Sequence, residues 1–140
     1  MKIFLDDNII VDFLDKPNYD QAIAAEVMRL IRIAKKPVFV SPTTFAITWY
    51  IFSKRNKTTK NVKAVLTGFF EYFSFTSEDA MVMKKVIASD FADLEDALQY
   101  YSAVHSGVQL IITKNKKDFI QTGSVKVIHP AEFIDLHYNN

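Results

Sequence analysis

The strongest constraint on this chain is an alternation of short apolar segments with longer stretches of helical periodicity. The longer stretches repeat apolar side chains every three or four residues, as amphipathic helices do. The short segments are rich in Val, Ile, Leu and Phe, as buried strands are, and they lie at residues 2–5, 38–40, 110–112 and 125–128. Short strands alternating with helices favour parallel βαβ units. We therefore predict an α/β sandwich formed by one domain, residues 1–140.

Several helix ends carry recognisable capping signals. Asn18, followed by Gln three residues later, predicts the start of one helix, and Asp93 predicts the start of another. We expect Thr76 or Ser77 to cap the helix that directly precedes the one starting at Asp93. The helix that begins at Ser41-Pro42 is rich in large apolar groups, which predicts that it is mostly buried.

Composition excludes several classes of protein. The 140 residues include no Cys and only 3 Gly, which excludes disulfides, thiolate metal sites and cysteine nucleophiles and disfavours a glycine-rich phosphate loop. The longest apolar stretch, residues 45–52, is far shorter than the roughly 20 residues of a membrane-spanning helix. The first apolar residues run directly into Asp6 and Asp7, which leaves no room for a signal peptide. We predict a cytoplasmic protein with no membrane association.

Positive charge is concentrated in the middle of the chain. Residues 27–70 hold 9 of the 17 basic side chains and none of the 16 acids. Such a stretch suits the binding of nucleic-acid phosphates, although it also fits a solvated helix face. The candidate RNA-binding residues are Lys54, Arg55, Lys57 and Lys60.

Carboxylates are expected to meet at one edge of the predicted sheet. Asp6 and Asp7 follow the first strand, Asp118 follows the strand at 110–112, and Asp93 and Asp96 begin the helix that leads into that strand. Ligands of open α/β sheets bind at the carboxyl ends of the strands. Clustered carboxylates need a neutralising cation, and Mg²⁺ or Mn²⁺ suits oxygen ligands. Such an ion activates water for attack on a phosphoryl group.

Every acid of this group except Asp6 also has a purely structural explanation. Asp93 and Asp96 fit helix capping and a favourable helix dipole, Asp7 fits a turn, and Asp118 fits a turn cap. Asp6 directly follows a strand that should be central, where burial without a partner is expensive.

Three blocks of sequence together resemble the PIN domain family. They are the strand and short helix FLDDNIIVD at residues 4–12, the segment DLEDALQ at 93–99 continued by IITKNKKDF at 111–119, and the ending VIHPAEF at 127–133. The resemblance spans essentially the whole chain. It implies a three-layer α/β/α sandwich around a central parallel sheet and a metal-dependent endoribonuclease of the kind found in toxin–antitoxin pairs.

The resemblance also implies roles for individual residues. Asp6, Asp96 and Asp118 match the catalytic, metal-binding acids, with Asp93 as a further metal ligand. The supporting residues are Asn8, Thr113 and Asn115. The acid after the fourth strand varies in position among such proteins, and here Asn115 holds the nearer position and Asp118 the farther one.

One expected carboxylate is missing. Family members commonly carry a Glu in the helix after Ser41, and the corresponding position here is about Ile47. Asp7 or Asp93 is a candidate replacement, and additional waters on the metal are another solution, because Mg²⁺ usually retains several.

Three functions follow from this reading. The first is a Mg²⁺- or Mn²⁺-dependent endoribonuclease, with RNA as substrate, an antitoxin protein as partner, and exposed aromatic surface for that partner or for a homodimer. The second is a PIN-like RNA-binding module that has weak or no catalytic activity, as the residue at position 47 suggests. The third and weakest is a receiver-like phosphoacceptor domain, which lacks an Asp after the strand at 38–40.

Overall fold

A computed structural model describes residues 1–55, 62–119 and 125–138. In these residues the first half of the chain forms β1 (Ile3–Leu5), α1 (Asp7–Phe13), α2 (Tyr19–Ala34), β2 (Val38–Val40), α3 (Pro42–Arg55), α4 (Val62–Phe70) and β3 (Ser74–Phe75). The second half forms α5 (Ala80–Ala88), α6 (Leu94–His105), β4 (Leu110–Ile112), a 3-10 turn (Lys116–Asp118), β5 (Lys126–Ile128) and α7 (Pro130–Tyr138).

Within the described residues, the strands form one parallel sheet in the order β3-β2-β1-β4-β5. The central strand β1 pairs with β2 on one side and with β4 on the other, where Ile3 lies opposite Leu110 and Leu5 opposite Ile112. The predicted α/β fold with a central parallel sheet is confirmed.

Alternating side chains of the strands fill two cores on opposite faces of the sheet. Ile3 and Leu5 belong to a core that also contains apolar residues of α1, α2, α4 and α7. Phe4 and Ile111 point to the other face and pack with Tyr100 of α6. The helices therefore cover both faces, which gives the three layers of the sandwich.

Capping explains where several helices begin. The Asn18 side chain accepts a hydrogen bond from the Gln21 amide at 2.8 Å, and α2 starts directly after it. The predicted cap of α5 at Thr76 or Ser77 is wrong. Asp79 caps this helix by accepting from the Val82 amide at 2.9 Å, because the Thr76 hydroxyl is buried and donates to Ser102 instead.

The prediction that α3 is mostly buried is also wrong. Its buried residues are Thr44 and Thr48, whereas the side chain of Tyr50 is 64% exposed. The Thr48 hydroxyl donates to the Thr44 carbonyl at 2.7 Å, so this buried polar group is satisfied within the helix. The outward aromatic side chains leave apolar surface along α3.

Among the described residues, no helix has the length and apolar character needed to cross a bilayer. The cytoplasmic location stays a prediction.

Candidate metal and catalytic site

The site begins where β1 and β4 end side by side. Because Leu5 is in register with Ile112, the next residues on the two strands, Asp6 and Thr113, leave the sheet together. The Asp6 amide donates to the Ile112 carbonyl at 3.1 Å, which continues the strand pairing to the edge. The parallel sheet thus brings together two residues that are far apart in the sequence.

Asp6 is buried and its carboxylate is held by three donors. The Thr113 hydroxyl and the Asn8 side-chain amide donate to Oδ2 at 2.6 and 3.0 Å. The Asp7 backbone amide donates to Oδ1 at 2.7 Å. These hydrogen bonds compensate the cost of placing a carboxylate at 1% exposure, and they fix its orientation.

The Thr113 hydroxyl is itself oriented by the backbone. The Asn115 amide donates to Thr113 Oγ1 at 3.0 Å, which occupies an acceptor position of the hydroxyl and leaves its proton for Asp6. Lys114, between these two residues, contacts Asp12 at the end of α1 through an Nζ–Oδ2 ion pair of 2.5 Å. This ion pair anchors the loop after β4 to α1.

An acidic pocket of about 610 Å³ opens beside this edge. Its lining comes from the start of α1, the segment before α6, the first turn of α6 and the loop after β4. It includes one lysine, Lys117, and six acids: Asp7, Asp90, Asp93, Glu95, Asp96 and Asp118. Of the four predicted ligands, Asp93, Asp96 and Asp118 line this pocket, whereas Asp6 lies buried beside Asp7 and Asn8.

Two acids of the pocket, Asp7 and Asp96, have pKa values above their ordinary range. The pKa of Asp96 rises to about 7, first because the side chain is partly buried and then because Asp6, Asp93 and Asp118 are negatively charged neighbours. The pKa of Asp7 rises to about 8, because of burial and then because of the hydrogen bond and charge of Asp6. The site therefore holds more negative charge than its own cations neutralise.

These properties fit a hard divalent cation. The surplus of carboxylate oxygens is the chemistry that Mg²⁺ and Mn²⁺ prefer, and the buried Asn8 Oδ1 has no hydrogen-bond partner within the described residues. Within the described residues, no group of three or more Asp, Glu or His side chains is arranged so that it could hold a metal ion. A cation would therefore take ligands from separate segments together with water molecules.

Asp93 has a structural role as well. Its Oδ1 accepts from the Asp96 amide at 3.0 Å and caps α6. Asp93 also lines the same pocket as Asp96. The capping explanation and the further-ligand prediction for Asp93 are thus compatible.

No residue of α3 lines the acidic pocket. Ile47 is half-buried, and its neighbours Thr44 and Thr48 are the residues of this helix that face the interior. Because α3 contains no Asp or Glu, it contributes no carboxylate to the site.

Four polar residues of this region are absent from the sequence-based candidates. Asp90, Glu95 and Lys117 line the pocket, and Gln99 is fully buried on α6. Gln99 lies three residues after Asp96, so helical spacing alone would have placed it on the same side of α6.

Lys54 and Arg55, the basic candidates within the described residues, do not line the pocket. Lys54 Nζ lies 5.4 Å from the centre of the Tyr50 ring, and Arg55 contacts Asp15 at 3.4 Å. Lys57 and Lys60 lie outside the described residues.

Comparisons with known proteins agree with this architecture. The chain is 26% identical over 138 residues to Ribonuclease VapC1 of Aquifex aeolicus, covering 96% of this chain and 94% of that protein. A chain in the crystal structure of VapBC2 from Rickettsia felis, bound to a DNA fragment from their promoter, superposes with a TM-score of 0.70. That match has 17% identity and covers 92% of this chain and 98% of the other.

A sequence model described as PIN domain matches residues 2–117. This range contains β1 with Asp6, the start of α6 with Asp96, and the loop after β4 with Thr113. Asp118 lies one residue beyond its end. The matched segment accounts for most of the chain and for the elements that build the acidic pocket, and the chain accordingly belongs to the PIN domain family.

Proposed function

We propose that this protein is a divalent-metal-dependent endoribonuclease and the toxin-type component of a toxin–antitoxin pair. The observation that carries the proposal is the pocket at the carboxyl edge of the sheet, where Asp96 and its acidic neighbours hold uncompensated negative charge. The similarity to Ribonuclease VapC1 supports the same reaction class.

In this proposal Asp6, Asp96 and Asp118 hold Mg²⁺ or Mn²⁺. The bound ion would supply activated water and stabilise charge on a phosphoryl oxygen. Thr113 and Asn8 keep the Asp6 carboxylate in one orientation through hydrogen bonds of 2.6 and 3.0 Å.

The remaining site residues act on charge and position. Asn115 orients the Thr113 hydroxyl through its backbone amide. Lys117 lines the pocket and offers a positive charge to an RNA phosphate. Burial and the neighbouring charges raise the pKa of Asp96 to about 7, so metal binding in mildly acidic solution would release a proton.

RNA flanking the site would contact the basic end of α3. Lys54 and Arg55 are exposed there, and Lys57 and Lys60 follow in the sequence. Phosphate contacts of this kind give affinity with little sequence preference.

A separate antitoxin protein would inhibit this activity. The similarity to a chain of VapBC2, whose crystal structure contains a DNA fragment from their promoter, motivates this part of the proposal. The exposed aromatic side chains of α3, including Tyr50 and Trp49, offer apolar surface for the antitoxin or for a homodimer.

Asp96→Asn is the direct test. The amide preserves size and removes one ligand charge, so RNA cleavage in Mn²⁺ should fall at least 100-fold while the fold stays intact. Cleavage of a single-stranded RNA would be measured with Mn²⁺, with Mg²⁺ and with EDTA. Asp135→Asn, an exposed acid on α7, is the matched control and should cleave like the wild type. Unchanged cleavage by Asp96→Asn would remove Asp96 from the site.

The second candidate is an RNA-binding module without cleavage activity. The observation that favours it is the lack of any carboxylate from α3. RNA binding without metal-dependent cleavage in the same assay would establish it. The receiver-like alternative receives no support from the family match.

A further inference from the structure

Gln99 is a buried amide at the junction of three helices. It lies on α6, three residues after Asp96, and its side chain is fully buried. Its Oε1 accepts from the backbone amide of Asp7, at the start of α1, at 3.1 Å. The same oxygen lies 3.4 Å from the hydroxyl of Thr44 on α3, a longer and weaker contact.

The contact with Asp7 is a bond between two segments of the proposed site. The first amides of a helix have no partner inside the helix, and the Asp7 amide is shared between Asp6 Oδ1 at 2.7 Å and Gln99 Oε1 at 3.1 Å. Gln99 therefore links the segment that carries Asp6 to the helix that carries Asp96. Its link to Asp7 spans 92 residues of sequence.

Packing alone does not account for an amide at this position. Nε2 of Gln99 has no hydrogen-bond partner within the described residues. A buried donor without a partner costs about 1–3 kcal/mol relative to an apolar side chain of similar size. A Met or Leu would fill the same volume without that cost.

The acids on either side of this contact repel each other. Asp6 follows β1 on one side of the contact and Asp96 lies in the first turn of α6 on the other, and two ionised carboxylates in one region repel each other. Without a connection between the two segments, repulsion would favour their separation. The hydrogen bond from the Asp7 amide opposes that separation.

We infer that Gln99 is a positioning residue that keeps the segment carrying Asp6 next to the helix carrying Asp96, so that both acids could serve the same divalent ion. This inference rests on the proposed function, because it concerns the same acids. Gln99 itself touches neither metal nor substrate in this role. It acts through the position of the first turn of α1.

Gln99→Met tests this role, because it keeps the volume and removes the acceptor. Binding of Mn²⁺ alone, followed by electron paramagnetic resonance at a temperature well below unfolding, should weaken about 10-fold or more, as is typical when a group behind a metal ligand is removed. Hydrogen exchange of the Asp7 amide, followed by NMR in the metal-free protein, should accelerate.

Ser102→Ala is the matched control. Ser102 is also fully buried on α6. Its hydroxyl accepts a hydrogen bond from the Thr76 hydroxyl and donates one to the backbone carbonyl of Gln99. This variant should lose stability while its Mn²⁺ affinity and Asp7 exchange stay near the wild-type values. An equal loss of Mn²⁺ affinity in both variants would indicate general loosening of α6 and would overturn the inference.

A second variant covers the case in which Gln99→Met does not fold. Gln99→Glu retains an acceptor oxygen at the same reach and is measured in mildly acidic solution, where burial keeps its carboxyl group neutral, so exchange of the Asp7 amide should remain slow. Fast exchange in this variant would overturn the inference.

The test separates this inference from the proposed function. If the wild type binds Mn²⁺ and Gln99→Met binds it equally well, the positioning role is wrong and the proposed function stands. If the wild type binds no Mn²⁺, both fail, whereas the Asp7 exchange rate still reports whether the Gln99 hydrogen bond exists.

Discussion

At the level of single side chains, the pocket shows how one buried carboxylate obtains its partners. Asp6 receives donors from Asn8, two residues later, and from Thr113, directly after a different strand. The first contact is local, because Asn8 lies in the first turn of α1, which Asp6 caps. The second depends on the register of β1 with β4. Thr113 is therefore the residue whose removal tests the tertiary part of the arrangement.

Thr113→Val removes the hydroxyl at nearly constant volume and leaves Asp6 with one donor fewer. Without metal, we expect a loss of about 1–3 kcal/mol in the free energy of unfolding, because a buried charged acceptor loses a hydrogen bond. RNA cleavage should fall as well. Urea denaturation and the cleavage assay measure the two effects. Thr113→Ser keeps the hydroxyl and should retain most of both, so equal losses in the two variants would exclude the hydroxyl as the cause.

Among the helices, α3 departs most from its sequence-based description. Large apolar side chains predicted a buried helix, yet Thr44 and Thr48 occupy its interior side. Periodicity failed here because apolar residues occur on most sides of α3 and do not select one. Neighbouring elements made the choice, as Phe45 packs on Phe70 of α4 with ring centres 4.9 Å apart.

Ile47→Glu asks whether α3 can supply the missing carboxylate. A buried unpaired charge costs several kcal/mol, whereas a charge that meets a divalent ion is compensated. We expect lower thermal stability without metal, recovery when Mn²⁺ is added, and more nuclease activity if the natural protein is weak.

Ala46→Glu, at the adjacent exposed position, is the control and should show no such dependence on Mn²⁺. Equal destabilisation of Ile47→Glu with and without Mn²⁺ would show that position 47 faces the apolar core. The correspondence between this helix and the family pattern would then be wrong.

The basic end of α3 gives a separate prediction. Replacing Lys54, Arg55 and Lys57 together by Ala should weaken RNA binding and reduce the slope of log K against log salt by about 2, at roughly 0.7 per phosphate contact on a single strand. Fluorescence anisotropy at several salt concentrations measures the slope. Replacing Lys84, Lys85 and Lys126, which are exposed elsewhere, should change it little. An unchanged slope in the first variant would indicate a solvated surface only.

For the molecule as a whole, the acidic pocket makes stability depend on pH and metal together. The folded-state pKa values of Asp7 and Asp96, about 8 and about 7, lie above their ordinary value of 3.8. Their stabilising contribution is therefore fully present below about pH 4 and is lost as the pH rises through the folded-state values.

Without metal, the free energy of unfolding should fall between pH 5 and 8 by about 1–3 kcal/mol, a figure reduced for the partial exposure of Asp96. Mn²⁺ should abolish most of this fall. Urea denaturation at pH 5 and at pH 8, with EDTA or with Mn²⁺, measures this change in the free energy of unfolding. The double variant Asp7→Asn with Asp96→Asn is the control, and its stability should not depend on pH in this window. A wild-type protein whose stability rises from pH 5 to 8 in EDTA would contradict the prediction.

At the acid end another group acts in the opposite direction. Hydrogen bonds from Arg29 and Tyr138 hold the pKa of Glu26 down to about 2, below its ordinary value of 4.5. Its contribution is present above about pH 4.5 and is lost as the pH falls through 2. The Glu26 contribution is lost at low pH, whereas the contribution of Asp7 and Asp96 is lost as the pH rises. We therefore expect the metal-free protein to be most stable in mildly acidic solution.

Much of the fold and part of the site follow from local patterns. The short apolar segments became strands, and Asn18 and Asp93 cap the expected helices. The position of Asp6 after β1 follows from the same pattern. These features depend on side chains within a few residues of each other, for which periodicity and capping chemistry are sufficient.

Tertiary structure decided the rest. The inward threonines of α3, the contact with Ser102 that keeps Thr76 from capping α5, and the contact of Gln99 with Asp7 all depend on residues distant in sequence. A helix with apolar groups on most sides has no preferred interior face until neighbouring elements cover one. A buried amide likewise finds its partners only after its helix has docked. Sequence periodicity records which residues avoid water, whereas their contacts are set by the packing of whole elements against each other.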